Sequence, residues 1–313
     1  MAAARSHVKR DVDQVIAILH LYVDDLFLRC LNQGILDQTM DDLKKLFATS
    51  HSSITGVDWF LGLNYGNTDQ NEYCSLTAYL DRLRDRYADV IELRDVHLPL
   101  APRTPLFPRE EGQATKIEKM NFATIVGELL YATKALRMDI AIHVGRIAQF
   151  VNNPSEEHMR YALRIVQYLL TTKDLGLTFV KDIKLIPKES RGVLVAYADA
   201  DLGGNYDHKS TAGSIFLFND SVFAWNSKKL NLVVLSTTEA EMTALTMCVK
   251  DVIVYRQLLE HLGFKQEKPT PVYTDSQSGI RAMFRSHTSQ RVKHFAIKLA
   301  WLRQQEESGL VVY

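Results

Sequence analysis

Half of the chain's eight prolines stand in one stretch, where Pro99, Pro102, Pro105 and Pro108 recur at every third position. Each ring locks φ and removes a backbone donor, so neither a helix interior nor a central strand can run through 98–108. The segment is predicted to be an extended connection, with the rest of the 313 residues organised on either side of it. A chain of this length usually holds about two domains. The apolar share of 46% beside 24% charged residues is that of a globular protein with material for sizeable cores.

Ahead of the prolines, two short apolar runs in 14–28 are interrupted by Asp24 and Asp25, a pattern that predicts a β-hairpin with the acids near its turn. Leu36, Met40, Leu43 and Phe47 line one helical face, and Leu76, Leu80, Leu83 and Tyr87 line another. Between them, 59–65 is predicted to be a strand. Beyond the prolines, helical spacing runs over about 119–151 and 155–172, with Pro154 and Ser155 as stop and start signals. From Gly192 the pattern changes to strands, with a hairpin turn at Asn219-Asp220-Ser221. Ser236-Thr-Thr-Glu239 is read as a capping box opening a helix that runs to about Leu262.

The acids of this second part carry the chemistry. Val195-Ala-Tyr-Ala-Asp199-Ala-Asp201 is a strand running into carboxylates, Glu241 is expected in the first turn of the following helix, and Asp275 ends another strand pattern. Taken singly, each reads as well as turn chemistry or as an acid at a helix N-terminus. Taken together, they form a set that could converge on hard cations such as Mg2+ or Mn2+, held roughly 4 Å apart for phosphodiester hydrolysis. Asp201 is expected to face away from Asp199 and to serve as a structural or substrate-side acid.

The equal counts of 37 basic and 37 acidic residues leave no global field that would draw nucleic acid, so any such binding needs a local patch. One lies between Arg281 and Arg303, where Arg281, Arg285, Arg291, Lys293, Lys298 and Arg303 occur with His294 and no acid. It reads either as a solvated helix face or as a stripe that holds a nucleic-acid backbone. Lys228 and Lys229 could extend the same surface. Tyr131, Tyr161 and Tyr168 fit apolar helix faces, and His158 is expected at the surface or in a cap. The scattered Cys30, Cys74 and Cys248 have no metal or redox spacing. With no signal peptide and no run of roughly 20 apolar residues, a cytoplasmic or nuclear, non-secreted chain is expected.

Specific segments go further. Tyr197-Ala-Asp199-Ala-Asp201, Lys209-Ser-Thr-Ala-Gly213, Ala224-Trp-Asn-Ser-Lys-Lys229, Leu235-Ser-Thr-Thr-Glu-Ala-Glu241 and Thr274-Asp-Ser-Gln277 resemble the RNase H domain of copia-type LTR retrotransposon Pol polyproteins. Leu21-Tyr-Val-Asp24-Asp25-Leu26 resembles the reverse-transcriptase palm motif of the same polyproteins. Phe60-Leu-Gly62, Thr104-Pro-Leu106, Val126-Gly-Glu-Leu-Leu-Tyr131, Arg137-Met-Asp-Ile140, Asn153-Pro154 and Leu175-Gly-Leu177 fall in the family's order between them. The resemblance covers nearly the whole chain.

It implies an α/β (α+β) chain: a partial polymerase palm at 1–110, a helical thumb or connection at 111–190, and an RNase H-like mixed-sheet domain at 191–313. It also implies metal-binding roles for Asp199, Glu241 and Asp275, and a palm pair in Asp24 and Asp25 with Asp24 the metal ligand. The expected cofactor is Mg2+ or Mn2+, and the expected partner an RNA–DNA hybrid contacted by Lys228, Lys229, Arg285, Arg291, Lys293 and His294, with no membrane and no small-molecule cofactor. Three of the family's four acidic RNase H positions are matched. The fourth, and the palm strand bearing the other aspartate, would lie beyond the ends of this sequence. The expectation is therefore an inactive polymerase and an RNase H that is weak at best, or else a catalytically dead nucleic-acid-binding or interaction protein. Ala296 stands where the family usually has aspartate.

Overall fold

The computed structural model describes residues 5–11, 14–23, 25–30, 32–46, 59–92, 94–101, 104–284 and 296–313. Strands β1 (Arg5–Asp11), β2 (Gln14–Tyr22) and β3 (Asp25–Cys30) form an antiparallel sheet in that order, with α1 (Gln33–Leu46) against it. The hairpin expected over 14–28 is β2–β3, with Tyr22 paired to Asp25. Strand β1 was not expected, because its charged residues show no apolar alternation.

A second sheet runs β4 (Trp59–Phe60), β5 (Leu63–Asn67), β6 (Asn71–Ser75) and β7 (Leu177–Val180). The single strand expected over 59–65 is instead a tight hairpin. Leu61 and Gly62 both take positive φ, 51° and 84°, and reverse the chain. Gly62 also lies so close to the Tyr131 hydroxyl that a Cβ would collide with it, and that hydroxyl donates to Leu61 O. Strand β7 reaches β6 across about a hundred residues. Gly176 makes the pairing possible, because a Cβ there would strike Cys74 O.

Helix α2 (Thr77–Tyr87) lies against β5, and α3 (Lys116–Ala135), α4 (Ala141–Ile147) and α5 (Glu156–Thr171) pack on one another, with α5 also meeting α2. One core joins Leu76 and Leu80 of the α2 region to Phe122, Ile125, Ile165 and Leu169, so residues from both sides of the proline segment share it. The 98–108 stretch is free of helix and strand where it is described.

The helix expected over 119–151 is broken, and Arg137 is the cause. Its guanidinium is 1% exposed, forks onto Asp139 at 3.0 and 2.7 Å, and donates to Thr172 O and Oγ1 at 3.1 and 2.7 Å. It also lies 5.4 Å from the Tyr168 ring centre. A continuous helix could not turn this side chain into the gap between α3 and α5; instead the N–H groups of Leu136 and Arg137 both close on Ala132 O. Burial alone would raise the Asp139 pKa, but the Arg137 hydrogen bonds and charge outweigh it and hold the carboxyl below its ordinary value. His158 is a capping residue, as one expectation had it, but it is buried rather than at the surface. Its Nδ1 accepts the Ser155 N–H, and its ring stacks on Phe150 at 4.0 Å.

The C-terminal half is an RNase H-like mixed sheet. Strands β8 (Leu194–Asp201), β9 (Thr211–Phe218) and β10 (Ser221–Lys229) are antiparallel, with Asn219 and Asp220 at φ 53° and 62° in the tight turn between β9 and β10. After α6 (Thr237–His261), β11 (Thr270–Tyr273) joins β8 in parallel. After α7 (Gln277–Met283) and α8 (Ala296–Glu307), β12 (Val311–Val312) joins β11 in parallel. The sheet order is β10-β9-β8-β11-β12. Among the described residues, no helix is long and apolar enough to cross a membrane.

Replacing Arg137 with Met should cost about 1–3 kcal/mol, since it leaves Thr172 O and the Asp139 carboxylate without the buried guanidinium. Urea unfolding measures this; a loss below about 1 kcal/mol would show that the buried fork is dispensable.

Candidate metal centre

Asp199 projects from β8, where its backbone pairs with Gly213 and its Oδ1 accepts the Ala200 N–H at 2.8 Å. Glu241 comes from α6, which begins at the Ser236 cap, so it lies in the second helical turn and not the first. Asp275 follows β11 by two residues, and its carbonyl accepts the Gln277 N–H at 2.8 Å as α7 begins. The capping box is completed one residue upstream of the expected partner: Ser236 Oγ accepts the Glu239 N–H, while the Glu239 carboxylate takes the N–H of Leu235.

One carboxylate oxygen from each of Asp199, Glu241 and Asp275 lies within 4.8 Å of the other two. Asp199 and Asp275 are exposed, whereas Glu241 is half-buried and its Oε2 is enclosed without a hydrogen-bond partner among the described residues. Burial pushes the Glu241 carboxyl up to about 7; the charges of Asp199 and Asp275 add to this, and the Ala200 N–H pulls the other way. An enclosed carboxylate oxygen facing two more carboxylates, with no basic donor among the described residues to satisfy it, suits a hard divalent cation. An all-oxygen donor set of this kind selects Mg2+ or Mn2+ over softer metals.

Asp201 is not part of the trio, and the expectation that it faces away from Asp199 is corrected. Residues two apart on a strand share a face, and Tyr197, Asp199 and Asp201 are all on the exposed side of β8. The Asp201 carboxylate folds back over Gly204, where a Cβ would meet it. The same period of two could have revealed an aromatic pair. Tyr197 and Tyr273 are in register on β8 and β11 and stack at 5.1 Å, two residues ahead of Asp199 and Asp275 respectively.

Asp25 begins β3 at the surface and belongs to no group of three metal-binding side chains among the described residues. Asp24, Arg285, Arg291, Lys293 and His294 lie outside the described residues. Lys228 is exposed on β10, and its charge reaches Asp251. Lys229 points to different partners, Asp207 and Gln149. Lys298 donates to Thr243 Oγ1 at 2.8 Å, and Arg281 turns back onto Gln277 of its own helix. Tyr168 is buried, while Tyr131 and Tyr161 are only partly covered.

No family model matches the chain. It is 32% identical over 305 residues to the retrovirus-related Pol polyprotein from transposon TNT 1-94 of Nicotiana tabacum, covering 95% of this chain and 22% of that one. The match to the Pol polyprotein from transposon RE1 of Arabidopsis thaliana is 30% over 295 residues, covering 94% and 19%. A putative transposon Ty5-1 protein of Saccharomyces cerevisiae is 29% identical over 235 residues, covering 74% and 72%. The chain thus spans about a fifth of the length of the first two relatives. An RNase H-like sheet and a full-length match of this kind define a retroelement polyprotein segment. The chain belongs to the retrotransposon Pol polyprotein family of the Ty/copia type.

The raised Glu241 pKa has a sign that can be checked. The folded value of about 7 lies above the ordinary 4.5, so the fold favours the protonated form. That contribution is complete below pH 4.5 and is lost as pH rises through 7. Without metal, Asp275→Asn should therefore raise the melting temperature at pH 8 by a few degrees, because it removes a like charge. The same change should weaken Mn2+ binding in titration calorimetry at least roughly tenfold. Unchanged Mn2+ affinity would remove Asp275 from the site.

Proposed function

We propose that the C-terminal half of the chain is a divalent-metal-dependent ribonuclease H acting on the RNA strand of RNA–DNA hybrids. The observation that carries this reading is the convergence of Asp199, Glu241 and Asp275 on an RNase H-like sheet, with Glu241 Oε2 enclosed and unpartnered among the described residues. Bound there, Mg2+ or Mn2+ supplies Lewis-acid stabilisation of charge developing on the scissile phosphate.

The protein's own contribution is placement. Asp199 and Asp275 sit at the exposed lip of the site, open to a strand laid across it, and Glu241 forms its half-buried floor. A carboxyl raised to about 7 holds a proton at Glu241 in part of the molecules at neutral pH, and in its ionised form Glu241, with Asp199 and Asp275, would hold the cation. Three carboxylates make a modest ligand set, so weak cleavage is the expected level. Lys228 and the basic residues Arg285, Arg291, Lys293 and His294 are assigned to the hybrid's backbone, where charge binds without reading sequence.

In the lineage, RNA removal accompanies RNA-directed DNA synthesis. Of the two activities, the proposal gives this chain cleavage alone.

The test is a labelled RNA–DNA hybrid incubated with Mg2+ or Mn2+. The RNA strand should be cut, and Asp199→Asn or Asp275→Asn should reduce the rate at least roughly a hundredfold. Cleavage that survives both substitutions, or salt-sensitive binding with no cleavage at all, would overturn the nuclease reading. The second outcome would favour a non-catalytic binding protein. Templated nucleotide incorporation by the purified chain would overturn the denial of polymerase activity.

A further inference from the structure

Lys229 ends β10 with its ammonium 2.9 Å from Asp207 Oδ2, and Lys209 reaches the same oxygen at 3.3 Å. Asp207 lies in the loop 202–210, which directly follows the strand bearing Asp199. On its other side the Lys229 ammonium donates to Gln149 Oε1, and Gln149 Nε2 donates to Asn205 Oδ1 of that loop at 2.8 Å. Gln149 and its neighbour Phe150 belong to the short helical turn after α4, in the helical unit. Phe150 packs on Tyr206 at 5.3 Å, and the Lys229 ammonium stands 5.2 Å from the centre of the same Tyr206 ring.

The two units therefore meet in a polar node capped by aromatic rings. Lys229 and Asp207 are each 25% exposed, which separates this pair from the weak ion pairs of an open surface. The loop is also hydrogen-bonded at its own ends. Asn205 Nδ2 donates to Lys209 O and Thr211 Oγ1, and the Gly203 N–H donates to Ser210 Oγ. Further along β10, Trp225 Nε1 donates to Thr133 O of α3 at 2.9 Å, a second tie between the same units.

We propose that Asp207, Lys229 and Gln149 are positioning residues. They clamp the loop after the Asp199 strand to the helical unit, so that the carboxylate trio and the helices 116–171 keep one fixed relation. Substrate held along the helices then meets the trio at a constant distance. Lys229 serves this clamp, not the nucleic-acid surface to which its sequence position pointed. The part of the proposal concerning substrate rests on the nuclease reading; the clamp itself does not.

The test compares the full chain with Lys229→Met, Lys229→Arg and Gln149→Leu. The unaltered chain and Lys229→Arg should unfold in one thermal transition. Lys229→Met and Gln149→Leu should each show two, with trypsin cutting the 181–193 connection at least roughly tenfold faster. On an RNA–DNA hybrid, both should raise KM while kcat holds, and Lys229→Arg should restore KM. Failure of the unaltered chain to cut hybrid sinks the nuclease reading and leaves melting and proteolysis to decide the clamp. A single transition with unaltered trypsin rates in both Lys229→Met and Gln149→Leu overturns the clamp. Should Lys229→Met fail to fold, Gln149→Leu decides alone.

Discussion

Everything at the candidate site depends on how closely α6 lies on β8. The inner face of β8 presents Leu194, Ala196 and Ala198, all buried, and α6 buries Met242, Leu245, Cys248 and Val249 against it. Two alanines at the centre of the contact remove the bulk that would hold the helix away. The approach is near enough for Cys248 Sγ to come within 3.9 Å of Tyr197 O. That closeness brings Glu241 beside Asp199, and the parallel pairing of β11 with β8 brings Asp275 to the same end of the sheet. Each fully buried large apolar side chain contributes roughly 1.5–3 kcal/mol, so several together outweigh the repulsion among three partly solvated carboxylates.

The structure resolves its two buried charge problems in opposite ways. Arg137 is almost wholly enclosed, yet Asp139, Thr172 and the Tyr168 ring account for its fork and its charge. It ties the end of α3 to the end of α5. Glu241 is less buried, yet among the described residues one of its oxygens has no partner and its neighbours repel it. A satisfied charge marks architecture; a charge held in conflict with its surroundings is the kind of local inconsistency that folds retain at sites of function.

Much of this was legible in the sequence where the signal is local. The helical spacing before and after Ser155 marked α5, and the apolar alternation over 194–201 marked β8. The three acids were singled out because each follows or opens an element that could hold it still. Two of the failures share one cause, a contact made far along the chain. A period of 3.6 continued through Leu136 and Arg137, but the helix ends there because a guanidinium finds its partners in residues 139 and 172. Trp59 to Tyr65 has the composition of a strand, but Gly62 reverses the chain under the Tyr131 hydroxyl. Asp201 was placed on the wrong face by a misapplied period of two, an error of reading rather than a silence of the sequence.

By itself, then, the sequence determined the family, the strand and helix order of the C-terminal half and which acids to weigh as a set, because these rest on ordered motifs and short-range periodicity. Only the tertiary structure decided that Asp199, Glu241 and Asp275 meet while Asp201 turns back onto Gly204. It also decided that β7 completes a sheet begun a hundred residues earlier, and that Lys229 faces Asp207 and Gln149. Such contacts join residues far apart in the chain, and nothing in the spacing of either partner records the other.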